Sequence, residues 1–463
     1  MPKERIHLQD LPSFLSAYDP ADLLTAIAAL QLVPENADCA GRIDFLAHLA
    51  TSIPDSTGRP HISASALKKT CNSAAIVESP IGWYEDPCDN CFTEAFPFHG
   101  GSFVVLPGFV EEPTFILRHL VDAIIREDEP FADGRFVRQA LAVVSVVLSI
   151  SNEIARRAGL GRGVAPLSVA GGLATIPDCP RLRELQQAVT FSEFDVANLL
   201  RNCNCPDSLF GRMVTHVGPI QLADYQPANG PLHVRPFIRT RKGIVVSLPG
   251  VLLATLRDVI VRLAAEYGVL QQLAERYNAA VSRSVVRTLD MIDNNCVAMS
   301  TPQPLASTAI FSEGVFRFDT DKALYLLLVT DALSQYSQSE AFGCWPNDGV
   351  KEGIDSKLRH AEEQLFQKDS GPNEVLLLVL VQSVGRWIVL GWNRPAAPAN
   401  SLFLSMSAAD LECIGFLEAG DRLALWKYAR AACCVRSNTR IQSASALDEF
   451  FCSVSAEVAH RGS

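Results

Sequence analysis

Two periodicities divide the chain. Through most of residues 1–300, apolar side chains recur every three to four positions, the spacing of amphipathic helices. Asp19-Pro20 opens one helix through Leu23, Leu24, Ile27 and Leu30, and Pro34 stops it. A second runs from Gly41 to Ile53, with Ile43, Phe45, Leu46 and Leu49 on its apolar side. After about residue 301 the pattern changes. Ala323 to Val329 and Val375 to Val381 are unbroken apolar runs, which fit central strands covered on both faces. Arg386 to Trp392 reads as a further strand, joined to the second run by a tight turn at Val384-Gly385. A helix from about Ile354 to Phe366 separates the two runs, and helices at about Ala408–Leu417 and Asp421–Ala432 follow.

Between these regions a pattern repeats. Pro97–Gly108 and Pro236–Gly250 each read as strand, glycine-containing turn, strand and Leu-Pro-Gly. Aligned from Gly101 on Gly243, five of eight positions are identical. A polar-capped helix precedes each hairpin, from Ser63 and from Ser192. Two helices follow each: about Thr114–Arg126 and Arg135–Ala158 in the first, Val251–Tyr267 and Leu270–Ile292 in the second. The spacing of roughly 140 residues is too long for a solenoid and predicts a domain-scale duplication. The expected fold is α/β, with α+β character in the N-terminal part. It divides into a helical segment (1–60), two duplicated lobes (61–185 and 186–300) and a C-terminal α/β domain (301–463).

Composition narrows the function classes. The chain has 463 residues, 48% hydrophobic and 20% charged, with ample material for a core. Its net charge of −11 disfavours a dedicated non-specific nucleic-acid binder. The densest basic run, Arg235, Arg239, Arg241 and Lys242, is the candidate nucleic-acid contact; as a solvated hairpin tip it would carry no function. The charged start Met1-Pro2-Lys3-Glu4-Arg5 is no secretory signal, and the apolar stretch from about Ala140 to Ile150 is too short to span a bilayer. Thirteen scattered cysteines fit reduced thiols. A cytoplasmic protein without a membrane segment is expected. Ser445 and Asp448 resemble a capping box opening a last helix.

Most chemical motifs fail on geometry. His99-Gly100-Gly101 and Ser168 offer no Gly-X-Ser-X-Gly elbow, and the repeat accounts for the first as a hairpin turn. Cys88/Cys91 and Cys203/Cys205 approach zinc spacing, but no Cys or His partner lies close in sequence to either pair. Gly159-Leu160-Gly161-Arg162-Gly163 follows a helix and carries no Walker lysine, so it reads as a helix end. Trp83 and Trp345 fall in loop contexts, where tryptophan serves either as a binding anchor or as a cap on a core.

One constellation remains. Asp319 and Asp321 precede the run Ala323–Val329 and Asp331 closes it, with Glu313 nearby; carboxylates so placed are candidate metal ligands and catalytic groups for phosphodiester cleavage with Mg²⁺. The order of elements (the helix about Leu270–Ile292, strands at about Gly314–Asp319 and Ala323–Val329, a helix, then Val375–Val381) resembles the restriction-endonuclease-like core over about 120 residues. That family carries Asp/Glu-X-Lys on a strand. Here Asp331 is followed by Ala332 and Leu333, and the comparable triplet Asp355-Ser356-Lys357 begins a predicted helix. The resemblance therefore implies a degenerate core. Because no complete catalytic set assembles, the sequence favours a non-enzymatic interaction or scaffold protein with a protein partner or nucleic acid. The alternative is a Mg/Mn-dependent nuclease using Asp319, Asp321 and Asp331. A multi-component prokaryotic system of the phage-defence type suits such a chain on general grounds alone.

Overall fold

A computed structural model describes residues 11–54, 58–73, 92–98, 100–106, 113–126, 130–160, 163–164, 173–216, 231–292, 299–306, 309–318, 322–331, 333, 348–367, 375–383 and 401–435. The expected strand at Arg386–Trp392, the Cys88/Cys91 pair, Trp83, Trp345 and the Ser445 cap lie outside these residues. The chain forms two compact units, one of residues 1–121 with 127–267, the other of 122–126 with 268–463. Both mix helices with small sheets.

The first unit begins with α1 (Leu11–Leu15), α2 (Pro20–Leu30), α3 (Ala40–Ser52) and α4 (Ala64–Cys71). Local chemistry sets their starts. Asp19 caps α2 by accepting the Asp22 N–H, Pro20 occupies its first turn, and Ser63 caps α4. The first hairpin pairs β1 (Phe92–Phe98) with β2 (Gly101–Val105), and β3 (Gly163–Val164) lies against β1. Next come α5 (Pro113–Ile125) and α6 (Gly134–Ala158), the latter closed by Gly159 in the left-handed conformation. α6 has 25 residues, longer than its apolar stretch suggests, and is long and apolar enough to cross a membrane. It is a core helix instead: Phe136, Val143, Val147, Ile150 and Ile154 are buried, and Glu153, Arg156 and Arg157 pair at its end.

α7 (Cys179–Ala188), β4 (Thr190–Phe191), α8 (Glu193–Asn202), α9 (Asp207–Phe210), β5 (Val214–His216) and α10 (Pro231–Val234) follow. The second hairpin, β6 (Phe237–Thr240) and β7 (Gly243–Val246), leads through a 3-10 turn at Pro249 into α11 (Leu252–Glu266). Its sheet runs β4-β7-β6-β5. The backbone of the two hairpins differs: Gly100 takes positive φ just before β2, whereas in the second hairpin the positive φ falls on Gly243, the first residue of β7. The sheets differ too, since the first hairpin gains one short strand and the second gains one on each side. The long helix after the second hairpin, α12 (Leu270–Ile292), belongs to the second unit, whereas α6 belongs to the first.

The second unit is built on a five-stranded sheet of order β12-β11-β10-β9-β8. β8 (Gln303–Ala306), β9 (Ala309–Phe318) and β10 (Lys322–Asp331) form an antiparallel meander. α13 (Asp348–Gln367) then connects to β11 (Val375–Ser383), parallel to β10, and β12 (Ser401–Ser407) lies parallel to β11. The expectation of a doubly covered central strand holds: Leu324 to Val329 are all buried, on both faces. On one face Phe311, Tyr325, Leu327 and Val329 pack with Ile354 and Leu358 of α13. On the other, Thr330 bonds Asn278 of α12. α14 (Ala408–Leu417), capped by a Ser407/Asp410 box, and α15 (Ala424–Val435) complete the unit.

Candidate functional site

The strand alternation of the second unit places Glu313, Val315, Tyr325 and Leu327 on the face that α13 covers. Glu313 is the polar exception among them. The Tyr325 hydroxyl donates to Glu313 Oε2 at 2.6 Å, and Lys357 Nζ of α13 stands 3.8 Å from Oε1. The Lys357 ammonium also lies 4.0 Å from the centre of the Phe311 ring, a cation–π distance. Glu313 is fixed along the strand as well: its N–H donates to Ser300 Oγ at 2.9 Å and its carbonyl accepts the Ser300 N–H at 2.8 Å. Burial, together with the hydrogen bond to Glu313, pushes the Tyr325 hydroxyl far above its ordinary range, so it keeps the proton it donates to Glu313. Glu313 and Lys357 are each about one-third exposed.

Sequence reasoning noted Glu313 only as a neighbour and set Lys357 aside as part of a helix. The helix is real, and it is what brings Lys357 over the sheet. Asp355, two positions earlier, lies about 200° around the helix and cannot join it.

Asp319 and Asp321 lie outside the described residues, and so does the side chain of Asp331. Lys322 and Asp331 are the two ends of the unbroken strand β10, about 30 Å apart at strand rise. Among the described residues, no group of three His, Cys, Asp or Glu side chains stands together as a metal site.

The basic run lies on the second hairpin and just before it, and most of it is neutralised locally. Arg239 pairs with Glu193 at 3.0 Å, Arg241 pairs with Asp19, and Lys242 stands 3.6 Å from Asp22; Arg235 is exposed. The hairpin tip thus clamps the start of α2, a tertiary role that local sequence does not reveal. Arg239 and Glu193 also line a cavity of about 660 Å³ with Leu200, Asp207, Phe210 and His216.

Cys203 and Cys205 are poor nucleophiles as they stand. Burial raises both thiols, that of Cys205 to about 12, and thus keeps them protonated.

A second polar cluster lies in the core of the first unit. His233 Nε2 is 2.8 Å from Asp44 Oδ1, and His48 Nδ1 is 3.4 Å from the same oxygen; all three residues are fully buried. The Leu232 N–H donates to His48 Nε2 at 3.2 Å, while His48 Nδ1 donates to the Asp44 carbonyl at 2.9 Å, which fixes a neutral tautomer. Such a cluster joins α3 to α10, and its complete burial keeps it from any substrate.

The described residues define a two-unit mixed α/β protein whose second unit carries a mixed sheet with a helical crossover between β10 and β11 and a carboxylate–lysine–tyrosine group on the face that α13 covers. Residues 8–460 match the family model described as anti-phage protein Upx-like, and the chain belongs to that anti-phage family. No curated protein and no solved structure matches it. The expectation of a prokaryotic phage-defence setting is thereby met.

Proposed function

We propose that this chain serves anti-phage defence in the cytoplasm as an interaction component that performs no chemistry of its own, its two units offering surface to a protein partner or to nucleic acid. One observation carries this reading: β10, the central strand, is apolar on both faces from Ala323 to Val329, and none of the described strands bears the Asp/Glu-X-Lys triplet that the nuclease resemblance requires. The recurrence of hairpin and two helices in both halves is consistent with a duplicated ancestor that supplied two comparable surfaces.

A second reading is favoured by a different observation. The succession α12, β8, β9, β10, α13, β11, with three antiparallel strands and a parallel fourth, resembles the order of a restriction-endonuclease-like core. On that reading the second unit is a Mg²⁺- or Mn²⁺-dependent nuclease using Asp319, Asp321 and Asp331. Purified protein should be incubated with plasmid DNA and with RNA in Mg²⁺ or Mn²⁺, and variants Asp319→Ala/Asp321→Ala and Asp331→Ala tested for phage protection. No cleavage, with protection intact in both variants, supports the interaction reading. Metal-dependent cleavage lost in one variant, together with lost protection, replaces it with the nuclease reading.

A further inference from the structure

The nuclease resemblance implies a divalent ion on a strand carboxylate, and the surroundings of Glu313 test that implication. A divalent ion needs open carboxylate oxygens and no competing cation beside them. Glu313 offers neither: Oε2 takes the Tyr325 hydroxyl at 2.6 Å, and Oε1 faces the Lys357 ammonium at 3.8 Å. Its cross-strand neighbour is Leu327, and the adjoining side chains on this face are Phe311 and Val315. These donors do not fit the ion.

We propose that Lys357 is a tethered cation standing where a divalent ion would stand, so that Glu313, Tyr325 and Lys357 form a closed, metal-independent centre on the α13-covered face of the sheet.

Three features support this. The ammonium is positioned twice, by the carboxylate and by the face of Phe311. It projects from the same side of α13 as Ile354, Leu358 and Ala361, which are buried against this sheet, so the packed helix holds the base of the lysine beside Glu313. Tyr325, itself 3% exposed, fixes the second carboxylate oxygen and keeps Glu313 turned toward the lysine. The charges cancel within the group, which lets a carboxylate persist on an apolar sheet face without a metal. The inference rests on the interaction reading, since a metal-independent centre is what a non-catalytic core of this topology would carry.

The test is a calorimetric titration of the intact chain with Mn²⁺, for the wild type, Lys357→Gln, Lys357→Arg and Glu313→Gln. Mn²⁺ binding elsewhere appears equally in Glu313→Gln and is subtracted. The wild type and Lys357→Arg should then show no binding that depends on Glu313. Lys357→Gln should gain it, with an affinity at least about tenfold above any residual wild-type value. Wild-type binding abolished by Glu313→Gln would overturn the inference and favour the nuclease reading. A folded Lys357→Gln that gains nothing would overturn the inference alone. Should Lys357→Gln fail to fold, Lys357→Met retains the chain's packing and provides the same comparison.

Discussion

His233 Nε2 and Asp44 Oδ1 meet at 2.8 Å in the core of the first unit, although 189 residues separate them in the chain. Burial alone would raise the Asp44 carboxyl; the pull of His233 outweighs burial and holds it well below the usual carboxylate range. Replacing one member leaves a buried polar group without its partner, at a cost of about 3–5 kcal/mol. Asp44→Ala should therefore lower the unfolding midpoint of the first unit sharply, as read by thermal denaturation. A midpoint within a degree of wild type would mean that the cluster contributes little.

The end of α6 gives a pH prediction. Hydrogen bonds from Arg156, then from Arg157, outweigh partial burial and lower the Glu153 carboxyl from 4.5 to about 2. Because the folded value is depressed, the stabilisation is fully present above the unfolded value and is lost as pH falls from about 4.5 toward 2. Arg156 is largely exposed, so after solvent screening the effect is about 1–2 kcal/mol. Urea unfolding of wild type and Glu153→Gln should separate at pH 6 and converge as pH falls to about 2.

Gly243 is required by its backbone. It adopts φ +119°, and a Cβ there would lie 2.4 Å from the Phe191 carbonyl oxygen across the β4–β7 pairing. Gly243→Ala should cost about 2–4 kcal/mol in urea unfolding. Gly100→Ala has open space and bears only the conformational cost of its positive φ, so its loss should be smaller.

Thiol labelling separates buried from accessible cysteines. Cys71 and Cys205 are buried, and burial pushes both thiols to about 12; Cys179, at the start of α7, is exposed. Iodoacetamide followed by peptide mapping should modify Cys179 first and leave Cys71 and Cys205 unmodified until denaturant is added. Early labelling of Cys205 would show that its burial is not maintained in solution.

In the second unit, Thr330 donates to Asn278 Oδ1, while Asn278 Nδ2 donates to the Ala274 carbonyl at 2.7 Å. Thr330→Val removes a donor from a buried acceptor and should cost about 1–3 kcal/mol. Hydrogen exchange along α12 should accelerate in that variant if the bond fastens the helix to β10.

Local pattern determined much of this protein. Helical spacing, the caps at Asp19, Ser63 and Ser192, the glycine ending α6 and the apolar runs of β10 and β11 are set by residues within a few positions of one another, and all are legible in order along the chain. Tertiary structure alone decided what those elements bring together. The basic run at Arg239–Lys242 has the local look of a phosphate contact, yet acids from α2 and α8 neutralise it. Glu313 and Lys357 look unrelated, 44 positions apart, until the register of β9 on β10 and the crossover of α13 set them face to face. Periodicity encodes which face a residue occupies; it does not encode which distant element will cover that face, and here the covering elements decide the chemistry.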